Sequence, residues 1–325
     1  MKTHVMPIEE RTDPRRARNR TINRRQLMAS ALGAAAALTL APSAEATSSR
    51  TVKSGTFKIA ALSDGHLALP EAMFAPGINA VRRTAALRAA GQSGFRIKSP
   101  LNVTLIETGA DKILIDVGSG TRFMDTAGLL AEALEAGGVD PEAITKVIYT
   151  HAHPDHLWGT INDFDELSFP NAQYYISEKE WNFWMAKDVL TTLPKERHGF
   201  AIGAQRNLKL IKQRLTTIKP GREIITGLNV LDTSGHTPGH ISIEAGSGKD
   251  RIVILGDALT HPVISFRHPD WRPASDQSPD EAVKTRRHLL DKLATDGNRI
   301  IGYHLPVPGM GHVVRKGNGF AFAPL

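Results

Sequence analysis

An α/β architecture of two mixed sheets packed together, with helices outside, is what the sequence predicts, and three observations point to it. Nine short apolar runs bounded by turn signals read as strands, more than one small sheet accommodates. They fall largely in adjacent pairs joined by short polar turns such as Gly109-Ala110-Asp111 and Gly246-Ser247-Gly248, with helical stretches between the groups. No Gly-rich turn from strand to helix occurs early in the chain, which removes a doubly wound nucleotide-binding fold.

In chain order the expected strands are 57–62, 101–107, 112–117, 146–150, 173–176, 230–232, 241–244, 251–255 and 299–303. Helical spacing of apolar residues marks 123–136, 178–186, 204–217 and 279–294. The last carries its own start signal. Pro279 suits the first helical position, where its missing N–H costs nothing, and Ser278 with Glu281 forms a capping-box pattern.

The 325 residues allow one large or two ordinary domains, and the absence of Cys excludes both a disulfide scaffold and a thiolate zinc site. A net charge of +7 suggests nucleic-acid binding until its location is considered. Residues 1–46 hold +4 of it, which leaves +3 on all the rest and no nucleic-acid partner to expect. That leading segment reads as an export signal. Asn23-Arg24-Arg25-Gln26-Leu27-Met28 is a twin-arginine pattern, followed by an Ala-rich apolar run and Ala44-Glu45-Ala46, after which cleavage is expected. The run 27–40 is 14 residues, against roughly 20 for a membrane span, so no stable anchor is expected. A periplasmic location follows, and residues 47–325, free of repeats, charge blocks and long linkers, form one expected domain.

The chemistry lies in Thr150-His151-Ala152-His153-Pro154-Asp155-His156, directly after the strand 146–150. Along extended backbone His151 and His153 fall on one side and can face one cation, while Asp155 and His156 follow the turn and can reach a second. Further ligand types stand at strand ends: His236 in Gly235-His236-Thr237-Pro238-Gly239-His240, Asp257 in Leu255-Gly256-Asp257, and His304. Each alone is an ordinary loop residue. Together with the loop they make seven ligands, the number two divalent ions require.

This series resembles the metallo-beta-lactamase fold superfamily, whose motifs are a His-x-His-x-Asp-His loop, a later His, a bridging Asp and a final His. The resemblance covers essentially all of 47–325 and implies a four-layer αββα sandwich with two metals between the sheet edges. It implies His151, His153 and His236 on the first ion, Asp155, His156 and His304 on the second, and Asp257 bridging. The details are most similar to the methyl parathion hydrolase-like branch, through Phe169-Pro170-Asn171-Ala172 leading to Glu180-Trp181, through Gly256-Asp257-Ala258-Leu259-Thr260-His261, and through His304-Leu305-Pro306-Val307-Pro308-Gly309. Asp257 argues against a true zinc beta-lactamase, which usually lacks it. Many acyl-homoserine lactonases of this fold carry Tyr three residues after the bridging Asp, where this chain has Thr260.

Two such ions, zinc being the expected pair although His and Asp donors also suit Mn, Co or Fe, can share a hydroxide at neutral pH and polarise an ester oxygen. Asp257 as bridge and Asp155 as acceptor of a proton are the expected catalytic carboxylates. Phe123, Trp181 and Trp184, with Phe183, are the apolar candidates for the substrate pocket, although the Trp pair has the i, i+3 spacing of core residues. Asp64-Gly65-His66 ends the first strand and could approach the metals, with His66 read as a turn residue. No basic cluster adjoins a ligand motif, so the expected partner is a small neutral ester, lactone or phosphotriester, and a homodimer is allowed. The rival readings are an acyl-homoserine lactonase, a mononuclear iron oxygenase of the same fold, and a non-catalytic metal-binding protein.

Overall fold

The computed structural model describes residues 50–325, and the expected leader with its cleavage site lies outside them. The first sheet is formed by β1 (Arg50–Ser54), β2 (Phe57–Pro70), β3 (Arg96–Glu107), β4 (Lys112–Ile115), β5 (Lys146–Ile148), β6 (Gln173–Ser177) and β7 (Leu215–Ile218), lying side by side in that order. The second has β14 (Gly319–Pro324), β13 (Met310–Lys316), β12 (Arg299–Ile301), β11 (Ile252–Ile254), β10 (Ile241–Ala245), β9 (Leu228–Asp232) and β8 (Glu223–Ile225). Both are mixed: β4 to β7 run parallel in the first, and β11 with β12 in the second.

Side-chain alternation explains the layering. In β4, Ile113 and Ile115 face the second sheet, whereas Leu114 between them faces helices; in β5, Ile148 and Val147 divide in the same way. The inter-sheet core joins Ile59, Ile106 and Ile113 to Val230, Ile243 and Ile254. Outside the first sheet, helices Leu130–Ala136 and His198–Ile211 bury Leu134, Ala204 and Leu208 against it. Outside the second, helix Pro279–Asp296 lays Leu289, Leu290 and Leu293 on Val253 and Ile300. The result is the four-layer αββα sandwich.

Several expectations are corrected. Five strands, β1, β7, β8, β13 and β14, join the nine expected ones. The helix expected over 123–136 begins only at Leu130, because Gly128 takes φ +86° with its backbone against Gly120, a conformation no helix continues through. The segment expected as helix to 217 stops at Ile211, and the β-branched run Thr216-Thr217-Ile218 pairs with β6 instead. Pro279 does open its helix, but the Ser278 side chain makes no cap bond; its N–H donates to the Gly235 carbonyl at 2.9 Å and its carbonyl receives the Ala282 N–H at 2.9 Å.

Asp64 lies in mid-β2 at a register shift between Ser63 and His66, and is fully buried. Its carboxylate receives the Ser119 N–H at 2.8 Å, the Ser119 hydroxyl at 3.0 Å and the Leu130 N–H at 2.9 Å, so it ties down the loop that follows β4. Burial pushes its pKa up to about 7 despite these donors. A folded pKa above the unfolded 3.8 means the folded state binds the extra proton, so this group's contribution falls as pH rises from 3.8 to about 7. The stability advantage of the wild type over Asp64→Asn, measured by urea unfolding, should therefore be smaller at pH 8 than at pH 5. A gap that is constant or widens with pH contradicts this account.

Candidate metal centre

The loop after β5 is fixed by Asp116, which is not itself among the ligand groups. Asp116, just past β4, adopts φ 62°, a conformation Asp tolerates better than most residues, and receives both the N–H (2.7 Å) and the hydroxyl (2.8 Å) of Thr150. Its Oδ2 lies 2.8 Å from His156 Nδ1, so that ring donates inward through Nδ1 and turns the Nε2 lone pair to the centre. Val117 N–H also bonds the His156 carbonyl at 3.0 Å.

A second clamp is Glu180, fully buried on helix Glu178–Met185. Its Oε1 receives the Ala152 N–H (3.0 Å) and the Trp184 indole N–H (2.6 Å), and its Oε2 receives the Thr237 hydroxyl (2.7 Å) and the Gly239 N–H (3.0 Å). One carboxylate thus joins the His151–His156 loop to the His236–His240 loop. Gly239 is required there, since a Cβ would come within 2.0 Å of the Glu180 backbone N.

Between these loops all seven sequence-predicted ligand side chains converge, and each is buried. Three overlapping groups can each hold a cation: His151, His153 and His236; His151, His156 and Asp257; Asp155, His156 and His304. His153 Nδ1 lies 3.0 Å from His151 Nε2 and 2.9 Å from His236 Nε2. Asp257 stands in the middle, with Oδ2 3.2 Å from His236 Nε2 and 3.3 Å from His304 Nε2, and Oδ1 3.1 Å from His156 Nε2. Asp155 Oδ2 is 3.3 Å from His304 Nε2. His156 Nε2 and Asp257 Oδ1 are buried with no hydrogen-bond partner, and one ring nitrogen of His153 lies within 3.0 Å of nitrogens on both His151 and His236. These donors fit divalent cations in kind and in aim.

The electrostatics divide the rings into two groups. Burial and the neighbouring rings hold the pKa of His151 and His153 well below the ordinary value, leaving neutral rings of the kind that ligate. Burial opposes charge on His156 and His304, but the surrounding carboxylates outweigh it, raising His156 and pushing His304 up to about 10. Burial likewise opposes ionisation of Asp155 and Asp257, yet the same rings keep both below the usual carboxylate range.

Outer partners orient each ring. His151 Nδ1 lies 3.1 Å from the Thr150 hydroxyl, His236 Nδ1 lies 3.1 Å from Asp276, and His304 Nδ1 donates to the Pro100 carbonyl at 2.8 Å. Asp276 is held in turn by buried Arg286 at 3.3 Å. Gln277 places its amide 3.1 Å from His153 Nε2, and turning that amide over gives its unpartnered Oε1 the ring N–H while freeing Nδ1 for a cation. His240, within the second motif, is not among the ligand groups: its Nε2 receives the Asp257 backbone N–H at 2.9 Å.

The centre opens on a cavity of about 290 Å³ whose walls include Leu67, Leu69, Phe74, Phe123, Phe200 and Thr260. Phe123 lies where the sequence suggested. Trp184 does not: it is fully buried and spends its N–H on Glu180. Trp181 packs on the helical side of the first sheet and is absent from the cavity wall, as is Phe183. Asp64 and His66 stay outside the ligand groups. A cation does reach the cavity, since Arg197 lines it together with Glu196.

Residues 97–304 match the model of the metallo-beta-lactamase superfamily. Among curated proteins the chain is 25% identical over 198 residues to an uncharacterized protein, YobT, of Bacillus subtilis (strain 168), covering 59% of this chain and 79% of that one. It is 28% identical over 181 residues to metallo-beta-lactamase domain-containing protein 1 of Xenopus laevis, covering 53% and 63%. Among solved structures it is similar to AbOPH, a hydrolase in the beta lactamase superfamily, at 31% identity and TM-score 0.80, covering 86% of this chain and 98% of that one. It is also similar to AidC, a dizinc quorum-quenching lactonase in complex with a product, N-hexnoyl-L-homoserine, at 29% identity and TM-score 0.81, with the same coverage.

Glu180→Gln replaces an acceptor of four hydrogen bonds by a group that must point N–H at N–H or O–H on one side. It should cost about 2–4 kcal/mol in chemical denaturation and lower bound metal in elemental analysis of the same sample. Wild-type stability and metal content in this variant contradict the role given to the clamp.

Proposed function

This chain belongs to the metallo-beta-lactamase superfamily, and we propose that it is a dinuclear metallohydrolase that opens an ester, lactone or phosphotriester whose reacting group is uncharged. The observation that carries this reading is the pair of buried ligand triads joined through Asp257 at the floor of a largely apolar cavity. His151, His153 and His236 would hold one divalent ion, Asp155, His156 and His304 the other, with Asp257 touching both and zinc the first candidate. When bound, such a pair supplies activated water and Lewis acidity at neutral pH.

The chain's own part is positioning and proton handling. Asp257 fixes the spacing of the two triads. Asp155 lines the cavity and would be the carboxylate that accepts a proton, through the oxygen not facing His304. Leu67, Leu69, Phe74, Phe123 and Phe200 exclude water and bury the apolar part of a substrate. The branch resemblance of the sequence favours aryl esters and triesters. Likeness to AidC favours a lactone as the second reading, with Thr260 in the cavity wall leaving more room than a Tyr would.

A panel of a paraoxon-type triester, an aryl ester, a homoserine lactone and a cephalosporin, run on protein of measured metal content, tests the reading. Turnover of at least one of the first three is expected, with Phe123→Ala lowering kcat/KM by about 1–3 kcal/mol at unchanged metal content. Hydrolysis of the cephalosporin alone, or oxygen consumption with a single bound iron and no hydrolysis, overturns it.

We also propose export by the twin-arginine route, on the strength of Arg24-Arg25 and the Ala44-Glu45-Ala46 site. Full-length protein should be recovered from the periplasm trimmed near Ala46, and Arg24→Lys with Arg25→Lys should retain it in the cytoplasm. Normal delivery of the double variant counts against the route.

A further inference from the structure

Among the described residues Arg197 is the one arginine or lysine in the wall of the metal cavity, the other basic side chains there being the histidines of the centre. It stands at the start of helix His198–Ile211, is half-buried, and donates one N–H to the carbonyl of Ala274, which lines the same cavity. That bond fixes the guanidinium and uses one of its five N–H groups. Among the described residues no carboxylate lies within ion-pair distance of it. The nearest acidic influence is Asp276, whose oxygens are taken by Arg286 and His236. Glu196 shares the cavity wall but is exposed to water, so it offsets little of the charge. Burial lowers the Arg197 pKa, the signature of a cation partly stripped of water.

A half-buried guanidinium in the wall of this cavity, with no carboxylate partner among the described residues, is placed to exchange water for an anion. Phe123 and Phe200 line the same cavity as Arg197 and the ligand cluster, so an apolar part of a substrate can be buried there as well. We propose that Arg197 is a specificity-determining residue that binds a carboxylate on the substrate remote from the bond that is cut. The substrate class is then an ester or lactone with a neutral reacting group and a carboxylate at a distance, or one whose acyl or leaving part ends in such a group. Arg197 supplies planar donors that match a carboxylate, which a lysine at the same place would meet as a point charge only. This inference rests on the hydrolase reading above.

The test compares 4-nitrophenyl hydrogen adipate and suberate with their methyl esters, on metal-loaded wild type and on Arg197→Met and Arg197→Lys. Wild type should favour the free acids over the methyl esters by about tenfold or more in kcat/KM, expressed mainly in KM. Arg197→Met should abolish that ratio, Arg197→Lys should keep part of it, and metal content by elemental analysis should be unaltered. Should Arg197→Met fail to fold, inhibition of the wild type by non-hydrolysable phenylalkyl carboxylates against the matched primary amides reads the same preference. A ratio that is equal in wild type and Arg197→Met, or amides that inhibit as well as carboxylates, overturns the role of Arg197 and leaves the hydrolase reading intact. No hydrolysis of either member of any pair by fully loaded protein overturns the hydrolase reading itself.

Discussion

Five imidazoles and two carboxylates meet at 2.9 to 4.0 Å in a buried setting, and this is the constraint on which the rest of the structure depends. Left to themselves, crowded imidazoles such as His151, His153 and His236 compete for the same space, and ionised carboxylates out of water are costly. Cations resolve both problems at once, but only if the protein holds the donors in place. The sandwich does this by bringing loops from the ends of β5, β9, β11 and β12 to one edge, where every ligand stands on or beside a buried strand.

The outer partners follow the same logic. His156 leans on Asp116, His236 on Asp276 and Arg286, and His304 on the Pro100 carbonyl. Each takes one ring nitrogen and thereby settles what the other can do. Glu180 carries the largest share of this work, because its two oxygens reach two loops from distant parts of the chain. Gly256 adds a packing condition of its own: it takes φ +52°, and a Cβ there would fall 2.7 Å from His240 Nε2, the atom that fixes the Asp257 backbone.

The seven side chains that converge were legible in the sequence because ligand chemistry restricts residue type and strand periodicity restricts spacing. The sheet cores were legible for a similar reason, as in Ile113 to Ile115, where both faces are buried and the run is continuously apolar. The supports were not. Asp276, Gln277 and Arg197 act on residues tens of positions away, and nothing local distinguishes them from surface polar residues; Glu180 stood in a stretch that carried the resemblance, but its role as a clamp between two loops has no local sign. Asp116 offered a weak signal, an acid directly after an apolar strand. The β13–β14 hairpin offered a better one, since Gly317-Asn318 separates two alternating runs as a two-residue turn does. Trp181 and Trp184 misled because helical spacing cannot say which wall an aromatic faces; Glu180, four residues before Trp184, draws that indole into the core.

The number and place of the ions separate this chemistry from its rivals. A crystal of protein reconstituted with zinc, measured at the zinc absorption edge, should show two anomalous peaks in each chain. One is expected among His151, His153 and His236, the other among Asp155, His156 and His304, with Asp257 in contact with both. A single peak at saturating zinc, or two peaks of which Asp257 touches only one, would contradict it.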